Sequence, residues 1–124
     1  MTGSGRYPGS APIESYGNGG FRFAGMSHRG SILCLPSAII AWPVTSAAAL
    51  SAADLVPIIE AAGEAPHLLL GTGARHVFPP PWVLPALAQA GIHAEVMTTG
   101  AAARTYNILL AEKRVVAAAL IAVD

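Results

Sequence analysis

Charge is scarce in this sequence: only 11% of its 124 residues are charged, and seven basic side chains balance seven acidic ones. The basic residues, Arg6, Arg22, Arg29, Arg75, Arg104, Lys113 and Arg114, form no patch. The attraction to phosphates that underlies nucleic-acid binding is therefore missing, and no nucleic-acid partner is expected. A lone cysteine, Cys34, excludes an internal disulfide. No apolar run reaches the roughly 20 residues of a membrane span. The stretch from Ile32 to Val44 is cut by Pro36 and Pro43, and Val115 to Val123 is short. Met1 to Pro12 lacks the apolar core of a secretory signal, and although Arg6 and a low acid content are shared with organelle transit peptides, the stretch is short and rich in Gly and Pro. A soluble cytoplasmic protein is expected.

Catalytic and metal signatures are equally sparse. His28, His67, His76 and His93 form no i, i+4 pair and flank no cysteine cluster, so neither zinc nor any other cofactor is expected. Cys34 lies in an apolar stretch, where a free cysteine behaves as a small hydrophobe rather than a nucleophile.

Apolar residues, by contrast, are abundant at 53%, and a chain of this length folds as one domain that buries roughly two-thirds of its extended surface. Met1 to Pro12 is too polar and Gly-rich to offset its ordering entropy and is expected to be a disordered tail (1–12), with a single α/β domain over 13–124. Ile13 to Tyr16 and Phe21 to Ala24, joined by Gly17-Asn18-Gly19-Gly20, predict a β-hairpin. Gly25 and Gly30 bracket a further turn, followed by strands over Ser31 to Leu35 and Ala38 to Trp42. Ser51 with Asp54 makes an acidic capping box for a helix strained at Pro57. From His67 the pattern alternates: strand His67 to Gly71, helix Trp82 to Ala90, strand His93 to Thr98, helix Ala101 to Ala111, strand Val115 to Val123. Such alternation predicts crossovers onto a shared, largely parallel sheet, with the direction of the last strand open.

Ligands in open α/β sheets bind beyond the carboxyl ends of strands, where helix N-termini present free N–H groups. Two strands end suitably, in Gly71-Thr72-Gly73 and in Thr98-Thr99-Gly100, with Thr99 expected to cap the following helix. Arg75 and Arg104 are placed to add positive charge. A dinucleotide loop is excluded because the third glycine, the immediate helix and the ribose-binding acid are absent, and there is no Walker lysine. Tight strand-to-loop packing is the competing explanation for Gly71-Thr72-Gly73. Thr105 and Asn107 sit mid-helix against their propensity, which calls for a compensating contact in a neighbouring loop or in the crevice. Phe78 with Pro79-Pro80-Pro81 and Trp82 forms a stiff apolar knob, suited to covering the core edge or anchoring a partner.

Five segments taken in order, Tyr16-Gly17 with Gly19-Gly20-Phe21, Gly71-Thr72-Gly73, Gly91-Ile92 with Glu95-Val96-Met97, Thr105-Tyr106-Asn107 with Leu109-Leu110, and Ala117 to Ile121, resemble the Mth-type family of small domains of unknown function. That family includes a mitochondrial assembly factor of respiratory complex I, and the resemblance covers about Ile13 to Val123. It implies a three-layer α/β fold with a central mixed sheet of about five strands, flanking helices and an extra β-hairpin layer. Where the family commonly has Glu-Gly-Arg before the last strand, this chain has Glu112-Lys113-Arg114. The resemblance implies no known catalysis and points to a protein-interaction or assembly-factor module for a membrane-bound respiratory complex, working through protein partners. The apolar surplus adds homo-oligomer formation as a further expectation. The alternative is a small-molecule or anion-binding protein or enzyme that uses a crevice of Gly71, Thr72, Gly73, Arg75, Thr98, Thr99, Thr105 and Asn107.

Overall fold

The computed structural model describes residues 5–124. Among these residues, nine strands and three α-helices occur in the order β1 (Arg6–Pro8), β2 (Ile13–Gly17), β3 (Gly20–Phe23), β4 (Met26–Arg29), β5 (Ser31–Cys34), β6 (Ala38–Trp42), α1 (Ala52–Glu60), β7 (His67–Gly71), α2 (Val83–Gln89), β8 (His93–Met97), α3 (Thr99–Ala111) and β9 (Ala117–Leu120). One sheet has the order β1-β6-β5-β9-β7-β8 and the other β2-β3-β4. In the large sheet β7 pairs in parallel with both β8 and β9, while β5 pairs antiparallel with β9 and β6. The last strand is thus parallel to one neighbour and antiparallel to the other.

Covering layers on both faces explain the uninterrupted apolar strands. Leu33, Leu68, Leu70, Ala117 and Ala119 join a core with α1 and α2, whereas Ile32, Cys34, Leu69, Ala118 and Leu120 join one with α3 and the small sheet. The result is the expected three-layer mixed α/β architecture, with a six-stranded central sheet.

Local chemistry sets the boundaries. The carboxylate of Asp54 accepts from the Ser51 N–H at 2.9 Å and closes the first turn of α1, which continues through Pro57. At the far end of α3, Lys113 N–H donates to the Leu110 carbonyl and Arg114 N–H to that of Leu109, both at 2.9 Å. This C-terminal motif needs a left-handed residue after the cap. Lys113 takes it at φ 61°, so the left-handed turn forms with a lysine in it.

Three expectations are corrected. The disordered tail does not hold for Arg6–Pro8, which pairs antiparallel with Ala38–Ile40 and seats Tyr7 edge-on against Phe23 at 5.1 Å. Long-range pairing and an aromatic contact stabilise a segment whose composition alone does not; Met1 to Ser4 lie outside the described residues. Between Gly25 and Gly30 there is a strand, β4, rather than a turn, because backbone pairing to β3 orders Met26–Arg29 without an apolar pattern. The cap of α3 is Thr98, whose Oγ1 accepts from the Ala101 N–H at 3.2 Å, and Thr99 is the first helical residue.

Candidate functional site

The parallel β7–β8 pairing, with Gly71 opposite Met97, brings the two threonine-glycine turns onto one rim. There they bond to each other. Thr99 N–H donates to the Gly73 carbonyl and Gly73 N–H to Thr99 Oγ1, each at 2.9 Å. The Thr99 hydroxyl donates to the Ile121 carbonyl at 2.7 Å, and Ile121 N–H to the Gly71 carbonyl at 3.0 Å. Thr72 N–H donates to the Met97 carbonyl at 2.9 Å; its hydroxyl donates to the Arg75 carbonyl at 2.7 Å and accepts from Val77 N–H at 3.0 Å. Thr72 and Thr99 are both buried. Two hydroxyls therefore fasten the ends of β7, β8 and β9 to the start of α3.

Glycine is required at the centre of this fastening. A Cβ on Gly71 would stand 2.8 Å from the Cα of Thr99, a backbone atom of α3 that has no room to yield. Gly73 adopts φ 112°, a conformation L side chains rarely take.

The open space lies to one side. A cleft of about 440 Å³ runs between the segment Thr72 to Val77 and the segment Ile121 to Asp124, with Thr45, Ser46 and Ala47 as a third wall. Of the sequence-derived candidates, Thr72, Gly73 and Arg75 border it. Thr98 caps α3, Thr99 and Gly71 are inside the fastening, and Thr105 lies farther along α3. Asn107 faces the small sheet: its Oδ1 accepts from the Ile13 N–H and its Nδ2 donates to the Ile13 carbonyl, both at 2.8 Å. The side-chain amide thus completes the backbone pairing at the start of β2, which accounts for a polar residue at an unfavourable helical position. Asn107, Tyr16 and Arg104 border a second groove of about 390 Å³ between β2 and α3.

Other residues take part without having stood out in the sequence. Buried Ser31 donates to the Val44 carbonyl at 2.6 Å and accepts from Ala122 N–H at 2.9 Å, tying β5 to the exit of β9. Nothing in its local sequence separates it from an ordinary strand-opening serine. The missing Cβ of Gly100 makes room for the Tyr16 hydroxyl. His67 Nε2 and Glu95 Oε2 lie 2.6 Å apart on adjacent strands. Their alternate spacing from His93 and Leu69 becomes meaningful only once the register of β7 on β8 is known.

Burial shifts several titratable groups toward their neutral forms. Burial pushes the Cys34 thiol up to about 12, which suppresses the nucleophilic thiolate. Burial first, and the adjacent Cys34 second, raise Tyr106, whose enclosed hydroxyl forms no well-aligned hydrogen bond. Desolvation lowers His28, whose Nδ1 is 3.1 Å from the Tyr7 hydroxyl. Among the described residues, no three His, Cys, Asp or Glu side chains converge in a metal-binding arrangement.

Comparison with known proteins places this geometry among relatives. The chain is 39% identical to an uncharacterised protein of Rhodobacter capsulatus over 93% of this chain and 87% of that one. It is also 39% identical to the NADH dehydrogenase [ubiquinone] 1 alpha subcomplex assembly factor 3 of Danio rerio, over 88% of this chain but only 63% of that protein's length. A solved structure described as an outer membrane protein from Bartonella henselae superposes with a TM-score of 0.89 at 47% identity, covering 95% of this chain and 99% of that one. A Mth938-like domain from Bordetella pertussis gives a TM-score of 0.73 at 29% identity, over 90% and 85% of the two chains. The profile of the family described as "Protein of unknown function (DUF498/DUF598)" matches residues 13–121, and this chain belongs to that family.

Proposed function

We propose that this chain is a non-enzymatic protein-interaction module that assists the assembly of a membrane-bound respiratory complex from the cytoplasmic side. The observation that carries the reading is its likeness, over most of its own length, to a protein named as an assembly factor of NADH dehydrogenase. The rim chemistry supports it. The hydroxyls and amides that would meet a substrate at the end of β7 are spent on one another, and Cys34 is inaccessible as a nucleophile. Among the described residues no helix is long and apolar enough to cross a membrane, so contact with a membrane complex would run through protein partners. A buried, unpaired cysteine accords with a reducing compartment.

Deletion of the gene in its source organism, followed by native electrophoresis of the respiratory complexes, tests the reading. The expected result is loss of assembled NADH dehydrogenase with accumulation of a subcomplex, restored by the full-length gene. Undiminished assembled complex in the deletion strain would overturn it.

A further inference from the structure

The outer edge of β8 is where the large sheet stops: among the described residues, no strand follows it in the order. His93 N–H donates inward to the Pro66 carbonyl, and the Met97 carbonyl accepts from Thr72 N–H. The odd-numbered residues of β8 therefore bond β7, and strand alternation turns the N–H and C=O groups of Ala94 and Val96 outward. An edge with free backbone groups in a strand free of proline and glycine is a template for another strand.

Both flanks of this edge suit a partner. On one face α3 lies over β7 and β9, leaving His93 and Glu95 exposed at the margin. On the other face α2 lies over β8. Val83 and Leu87 point into the core and Ala86 and Ala90 pack against it. At 100° per residue, Leu84 and Ala88 fall on the opposite flank, toward the free edge. Leu84 is exposed there.

We infer that β8 pairs antiparallel with β8 of a second copy of this chain, about a two-fold axis at Ala94. Charge selects that register. An axis at Glu95 would set two carboxylates directly opposite each other, which is destabilising, and an axis at Val96 would face Glu95 with an apolar methionine. An axis at Ala94 faces His93 of each copy with Glu95 of the other, twice. It also pairs the two Ala94 residues through both their backbone groups and lets each Val96 N–H reach the Ile92 carbonyl of the other copy. Ile92 N–H is already bonded to Leu87 within its own chain, so that carbonyl is the group it has to offer. The two sheets become one, and the Leu84–Ala88 flanks of the two α2 helices approach across the axis, as an isologous interface requires.

Sedimentation equilibrium of the full chain and two charge variants tests this. The wild type is expected to be a dimer that dissociates on dilution. His93→Glu opposes two acidic pairs and Glu95→Lys opposes lysine to histidine, so each alone should associate on the order of tenfold or more weakly. Mixed one to one, the two variants restore complementary pairs and should recover a heterodimer. Both side chains are exposed, and circular dichroism will report whether each variant keeps its fold. A wild type that stays monomeric at the highest attainable concentration overturns the inference and leaves the edge to a strand of another protein. So does a His93→Glu variant that dimerises as well as the wild type, because only the Ala94 register opposes residue 93 to a carboxylate.

Discussion

The rim at the carboxyl ends of β7 and β8 and the outer edge of β8 belong to the same sheet, yet their polar groups have opposite fates. At the rim, Gly71, Thr72, Gly73 and Thr99 exchange hydrogen bonds with one another and with Ile121, and the two threonines are buried. At the edge, Ala94 and Val96 turn backbone groups away from β7, the strand beside them. Glycine- and threonine-rich turns attract attention as ligand loops because N–H groups and hydroxyls gather there. Here the same groups close a joint between strands and helix, while alanine and valine carry the unsatisfied donors and acceptors. Availability for binding is a property of where hydrogen bonds go, not of how polar the side chains are.

Substitutions separate the two regions by size of effect. Thr99→Val keeps the shape of the side chain but leaves Gly73 N–H and the Ile121 carbonyl without partners in a buried site. Each such group costs about 1–3 kcal/mol, so urea unfolding should show a loss of about 3 kcal/mol. An intermediate effect of the opposite sign is expected at the end of α3. Lys113→Gly relieves a left-handed lysine and should stabilise the domain by about 1 kcal/mol in the same assay. At the edge, Glu95→Gln alters one partner of an exposed contact with His67 and should change monomer stability by less than about 0.5 kcal/mol. Thr99→Val as mild as Glu95→Gln would mean that the rim hydroxyl is dispensable and free to meet a ligand.

Much of the fold was legible because local and global signals agree. From His67 onward strands and helices alternate in the order read from the sequence, α3 carries a threonine cap, and the Gly17 to Gly20 turn has its hairpin. What was not legible depends on partners distant in sequence. Arg6–Pro8 is a strand only because Ala38–Ile40 lies beside it, and Met26–Arg29 only because of β3. The direction of β9 followed from two crossovers that place β8 and β9 on either side of β7. The helix cap was displaced by one residue because Thr98 and Thr99 are chemically alike, and which of them bonds Ala101 is decided by backbone geometry. The sequence suggests one crevice because two similar turns follow neighbouring strands, and the parallel register of β7 on β8 does bring both turns to one rim. The structure places the open cleft on the other side of β7, against Ile121 to Asp124, and keeps only Thr72, Gly73 and Arg75 of the candidates beside it. Asn107 needed a partner, as its helical position implied, and found it in the backbone of Ile13.

Residue-resolved amide hydrogen exchange tests the contrast between rim and edge most directly. The amides of Gly73 and Thr99 should be strongly protected at every protein concentration, because both are donors in the buried fastening. Those of Ala94 and Val96 should exchange freely in dilute solution and become protected as the concentration is raised and the edges pair. Rapid exchange at Gly73 and Thr99, or concentration-independent protection at Ala94 and Val96, would contradict it.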